Sequence, residues 1–138
     1  MNAKGTTEPG EIDAVLGELG ASVSGLVEAV VVTVDGVLLA AQPSTPAAPR
    51  FGAIAAAMIG LLHTPVTAEQ LGTFEQVLIE LGDAFLAYRA VSSSAVVAVA
   101  VDHTADIERL GFELARAGMT LERSGVDDLV SSARSEQR

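Results

Sequence analysis

The chain has 138 residues, a length that suits one domain with its own core. Its net charge of −10 and its 4% aromatic content argue against nucleic acid or an anionic membrane as partner, since a phosphate surface repels it and few rings can stack. Cysteine is absent, which excludes disulfides, thiolate metal sites and a cysteine nucleophile.

Residues 1–9 are polar and read as a flexible N-terminus without the apolar stretch of a signal peptide. Ile12, Val15, Leu16 and Leu19 then recur at i, i+3, i+4 and i+7, which predicts a helix with Gly20 as its stop. Leu26 to Val34 and Val37 to Gln42 are two apolar, β-branched-rich runs around Asp35-Gly36. That dipeptide favours a two-residue hairpin with positive φ at both turn positions. The runs barely alternate, so both faces of the sheet should be covered. Glu28 is the one acid in the two hairpin runs.

The Pro43–Pro49 segment cannot continue a central strand. A second helix is expected from Arg50 to His63, with the prolines delaying its start. Phe51, Ile54, Ala55, Met58 and Leu62 form one apolar stripe. Gly52, Ala56 and Gly60 form a small-residue stripe beside Ala53 and Ala57. Each interior glycine costs about 1 kcal/mol against alanine, so this stripe suggests close approach of another backbone. The run from Phe51 to Leu62 is well short of the ~20 residues of a membrane span.

Three strands follow at Phe74–Leu81, Ala84–Val91 and Ala95–Val101, turning at Gly82-Asp83 and at Ser92–Ser94. Glu75, Gln76 and Glu80 make the first of them the most polar, as an edge strand tolerates. Thr104 reads as the N-cap of a last helix, whose Ile107, Leu110, Leu114, Ala117 and Leu121 face inward. Asp106 with Arg109, and Glu113 with Arg116, can pair on its solvent side. Residues 124–138 read as a polar, loose tail in which Val126, Leu129 and Val130 dock weakly. The fold class is α+β in the order α-β-β-α-β-β-β-α, with one mainly antiparallel five-stranded sheet.

No Walker A or dinucleotide-binding glycine motif occurs, and no cofactor is expected. Asp102, His103 and Asp106 could hold a divalent metal, but each reads better as a strand-end, loop or first-turn residue, so no metal site is assigned. Ser92–Ser94 lie between strands rather than on a nucleophile elbow. Glu75 and Glu80 face opposite sides of a strand and cannot act as an acid–base pair. His63 reads as a cation at a helix C-terminus or an interface residue. Arg89 is expected to pair with Glu75 or Glu80, or to touch an acidic partner. No catalytic residue is assigned, and the protein is not expected to be an enzyme.

The ordered segments VVVTVDGVLLAA, FGAIAAAMIGLL, FEQVLIELGDAFLAYRAVSSSAVVAVAVD and IERLGFELARAGMTL resemble the Roadblock/dynein light-chain family from about Ile12 to Leu121. The resemblance implies a profilin-like fold over residues 10–123 and a homodimer built from paired second helices and joined third strands. Carried onto this chain, the interface would use Gly52, Ala53, Ala56, Ala57, Gly60 and His63 with Phe74, Gln76 and Leu78. Arg50 and Arg89 are candidates for a partner surface. The implied role is a cytoplasmic, bacterial, non-catalytic regulator or scaffold for a small Ras-like GTPase, with a sensor kinase of the same pathway as a further partner. The alternative is a small-molecule-sensing module of profilin-like or PAS-like shape.

Overall fold

The β-branched run after Gly25 forms β1 (Leu26–Thr33), and β2 (Leu38–Gln42) returns antiparallel to it. The turn between them differs from the two-residue expectation. Within this turn only Gly36 has positive φ (97°), and among the described residues only glycines do. Its amide donates to the Thr33 carbonyl at 2.9 Å, and the Thr33 amide donates to the Val37 carbonyl at 2.9 Å. The loop is therefore Val34-Asp35-Gly36, closed by one left-handed glycine, a three-residue hairpin geometry that spares Asp35 the strained region. The Thr33 hydroxyl accepts from the Val37 amide at 2.8 Å and holds the turn.

The computed structural model describes residues 9–62 and 69–136. Its remaining strands are β3 (Gln76–Glu80), β4 (Phe85–Ala90) and β5 (Ala95–Val101). They join β1 and β2 in one antiparallel sheet of order β2-β1-β5-β4-β3. The most apolar strands, β1 and β5, lie inside, and the polar β3 lies at one edge. This matches the expected five-stranded α+β sheet.

Two layers cover the sheet. On one face lie α1 (Pro9–Ser22), α3 (Ile107–Arg123) and α4 (Val126–Glu136). Ile12, Leu16, Leu19, Leu110, Leu114 and Leu121 pack there on Ala29, Val31, Val97 and Val99. Each such buried side chain contributes about 1.5–3 kcal/mol relative to exposure. On the other face α2 (Ala48–Leu62) packs Ala55 and Ile59 on Val30, Val32, Val96 and Ala98. Alternate residues of β1 and β5 thus feed two cores, which explains their unbroken apolar character.

Several boundaries differ from the sequence reading. α1 runs past Gly20 to Ser22. α2 starts at Ala48, earlier than expected, because Pro49 falls in the first turn, where its missing N–H costs nothing. The N-cap of α3 is Asp106, whose carboxylate accepts from the Glu108 and Arg109 amides, while the Thr104 hydroxyl is bonded to Asp102. The expected loose tail is the helix α4, with Val126 and Val130 buried in the sheet-side core. Gly125 (φ 86°) turns the chain from α3 into it. Its two ends are tethered: Asp127 accepts from Ser92 at 2.7 Å and from Ser94, and Arg134 pairs with Asp35 at 3.2 Å.

Candidate functional site

The small-residue stripe of α2 divides between two faces. Gly52 lies against the protomer's own sheet, and Ala56 is buried. A Cβ at Gly52 would meet Val32 Cγ2 at 3.3 Å and Leu38 Cδ1 at 3.5 Å, so this glycine serves close packing of helix on strand. Of the expected interface positions, Gly52 is thus in contact with β1 and β2 of its own protomer. Ala53, Ala57 and Gly60 are exposed, and a Cβ at Gly60 would meet nothing within 4 Å. Ile54 and Leu61 share that outer face and are 50% and 73% exposed. The apolar stripe read through Phe51, Ile54, Ala55, Met58 and Leu62 is thus divided, with Ala55 buried and Ile54 exposed. Periodicity could not decide this, because every side of α2 carries apolar or small residues. His63 lies outside the described residues.

At the far edge of the sheet stands β3, which pairs only with β4 among the described strands. Val77 and Ile79 turn to the α2 layer, and Phe74 joins the same cluster half-buried. Gln76 and Leu78 alternate onto the α3 side, where Leu78 is 45% exposed. The fold thus leaves two features open: the outer face of α2, which carries small and apolar residues, and the unpaired hydrogen-bonding edge of β3.

Arg50 is exposed in the first turn of α2. Arg89 takes neither expected carboxylate. Its guanidinium donates to Gln76 Oε1 at 3.2 Å, and its stem lies against Gly118 of α3. Cross-strand register explains the choice, because Arg89 stands directly opposite Gln76.

The other polar clusters have structural roles. Asp102 accepts from the Thr104 amide at 2.9 Å and from its hydroxyl, and these bonds hold its carboxyl below the usual range. The His103 ring lies 3.0 Å from the Gly82 carbonyl through Nε2 and edge-on to Phe85, with centroids 4.8 Å apart. Asp106 caps α3 rather than pairing with Arg109. Among the described residues, no group of three or more His, Cys, Asp or Glu is placed to hold a metal ion. Glu28 accepts from the Thr45 hydroxyl at 3.1 Å and ties down the proline-rich loop. Glu113 departs from its expected solvent position: it is buried, with Arg116 at 2.8 Å and Arg109 at 3.4 Å. An open cleft of about 620 Å³ runs past Ile59, Gly60, Phe74, Arg89 and Val91. No helix of the described residues is long and apolar enough to cross a membrane.

The Roadblock/LC7 domain family model matches residues 12–100, from α1 to β5. This chain belongs to the Roadblock/LC7 domain family. Among solved structures, a Roadblock/LC7 domain from Streptomyces avermitilis is 24% identical with a TM-score of 0.71, over 79% of this chain and 92% of that one. The gliding protein MglB of Thermus thermophilus is 17% identical with a TM-score of 0.77, over 92% and 99%. An MglB in a tetrameric arrangement is 16% identical, also at 0.77, over 92% and 98%. A search of curated proteins returns no match. The Roadblock/LC7 match ends inside β5, so α3 and α4 lie beyond the matched segment.

Proposed function

We propose that this Roadblock/LC7 chain is a non-catalytic, homodimeric regulator or scaffold for a small Ras-like GTPase in bacterial signalling. The observation that carries the reading is the exposed outer face of α2 together with the open β3 edge. Ala53, Ala57 and Gly60 let a second helix approach closely, while Ile54 and Leu61 supply apolar area to bury. Pairing two β3 edges would satisfy their free backbone groups and extend two sheets into one. The two α2 helices would then lie side by side and offer one shared surface to the GTPase, with Arg50 at its rim. Action by surface complementarity suits a protein whose polar clusters are occupied by caps and turns.

The test mixes the protein with a small Ras-like GTPase of the same genome, loaded with GDP or a non-hydrolysable GTP analogue. Binding that prefers one nucleotide state, with a change in GTP turnover, is expected. Absence of binding in both states contradicts the proposal. The second reading, a small-molecule-sensing profilin-like or PAS-like module, draws on the cleft beside Phe74 and Arg89. Thermal-shift screening against metabolites separates the two.

A further inference from the structure

We propose that the open cleft beside β4 is a binding site for an apolar α-amino acid, held as a zwitterion between Arg89 and Glu122. The inference rests on the small-molecule reading of this cleft, gives it one ligand class, and does not depend on a GTPase. The cleft has a volume of about 620 Å³, within the range of small-molecule sites. It lies where the sheet is incomplete. β3 begins only at Gln76, and the last bond from β4 to that segment runs from the Ala90 amide to the Glu75 carbonyl at 3.0 Å. Past it the cleft reaches both layers: Val34, Ile59 and Phe74 line it from the α2 layer, and Arg89 and Glu122 from the α3 side.

Arg89 is positioned for an anion that the fold does not supply. Its half-buried stem lies on Gly118 of α3, where a Cβ would stand 3.4 Å from Nε and 3.5 Å from Cγ. Glycine at that interior position costs the helix about 1 kcal/mol against alanine. From the β3 side, Gln76 Oε1 accepts from Nη1 at 3.2 Å, a neutral partner that occupies one of five N–H donors. Glu75 and Glu122 also line the cleft, and both are exposed. Among the described residues, neither they nor Arg89 has a salt-bridge partner. Glu122 stands four residues past Gly118, about 6 Å along the helix axis. Arg89 and Glu122 thus flank one end of the cleft without pairing, which leaves room for a group that carries both charges.

The charges select the ligand. One guanidinium against two carboxylates leaves the cleft net negative, in a chain of net charge −10, so a free anion is repelled. A simple cation would leave Arg89 without a counter-ion. An α-amino acid carries no net charge. It brings a carboxylate that a guanidinium can grip through two N–H bonds, and on the same carbon an ammonium for Glu122. Its side chain then extends toward Val34, Ile59 and Phe74, where burial rewards an aliphatic or aromatic group.

Isothermal titration calorimetry on the full chain tests this with L-leucine, L-isoleucine and L-phenylalanine. At least one should bind with a Kd below about 1 mM. Acetylating the ammonium of that ligand, or amidating its carboxylate, should weaken binding at least tenfold. These two arms use the unaltered protein and stand whether or not a variant folds. Arg89→Gln should weaken the amino acid at least tenfold and erase its advantage over the amide. Glu122→Gln should erase its advantage over the acetylated form. A purely structural loss would weaken all three compounds alike. Glu108→Gln, at the other end of α3, should bind like the parent. No binding of any of the three amino acids, or parent-like affinity in Arg89→Gln, would overturn the proposal. Equal binding of a blocked form would overturn it too, while leaving the cleft as a site for some other small molecule.

Discussion

Ile54→Asp separates association from folding most cleanly. Ile54 is 50% exposed in the protomer, so the substitution removes little that the fold uses. Surface changes of this kind usually stay within about 0.5 kcal/mol, and the lower helix propensity of Asp adds about as much again. In the dimer the exposed half of the side chain would be covered. Full burial of an isoleucine is worth about 1.5–3 kcal/mol, so half is worth about 1 kcal/mol, or about 2 kcal/mol across both copies. A desolvated, unpaired carboxylate adds at least about 1 kcal/mol per copy. The total of about 4 kcal/mol corresponds to a rise in dimer Kd of nearly a thousandfold. Sedimentation velocity over a concentration series reads the Kd, and circular-dichroism melting checks the fold. An Ile54→Asp protein that melts normally and dimerises like the parent would refute the assignment of the α2 face.

Other consequences follow from the fold. Leu114→Ala, at a side chain that is 0% exposed between α3 and the sheet, should cost about 2–5 kcal/mol in urea unfolding, and a loss under 1 kcal/mol would contradict the packing. Asp127→Ala removes the hydrogen bonds from Ser92 and Ser94 and should raise amide exchange across residues 126–136 while leaving β1 and β5 protected. Asp35 has its carboxyl held below the usual value, first by the Thr33 hydrogen bond and then by Arg134. A depressed carboxylate contributes stability above its unfolded value, about 3.9, and that contribution is lost as pH falls through the folded value. The urea midpoint should therefore drop below about pH 4, and part of that drop should vanish in Asp35→Asn.

Much of this fold is legible in the sequence because its periodicities are strong. The β1–β2 pair, the β3–β5 meander and the inward face of α3 follow from β-branched runs, turn residues and a 3.6-residue repeat. Where every side of an element looks alike, the pattern fails. In α2 small and apolar residues surround the axis, so only the packing of Gly52, Ala55 and Ile59 on the sheet shows which side meets it. α4 escaped for another reason. Its Val126, Leu129 and Val130 sit at i, i+3 and i+4, but Asp and Ser around them have low helix propensity. The helix is held by Val126 and Val130 in the core and by tethers to Ser92, Ser94 and Asp35, which lie 33 or more residues away and which no local pattern encodes. Glu113 was read as a solvated pair because its i+3 arginine is evident, while its burial depends on how α3 lies against α1. The hairpin's Asp35-Gly36 signal located the turn correctly and missed only its length, since Thr33 adds a side-chain bond that favours the wider loop.

The mass of the GTPase complex bears most directly on the proposed role. Light scattering coupled to size exclusion should give the free protein at twice the 14.1 kDa of one chain. With a small Ras-like GTPase in its binding nucleotide state, the peak should hold two copies of this chain and one GTPase, because the shared surface is built from both α2 helices. A one-to-one complex of a monomeric chain, or co-migration with no GTPase in either nucleotide state, would contradict it.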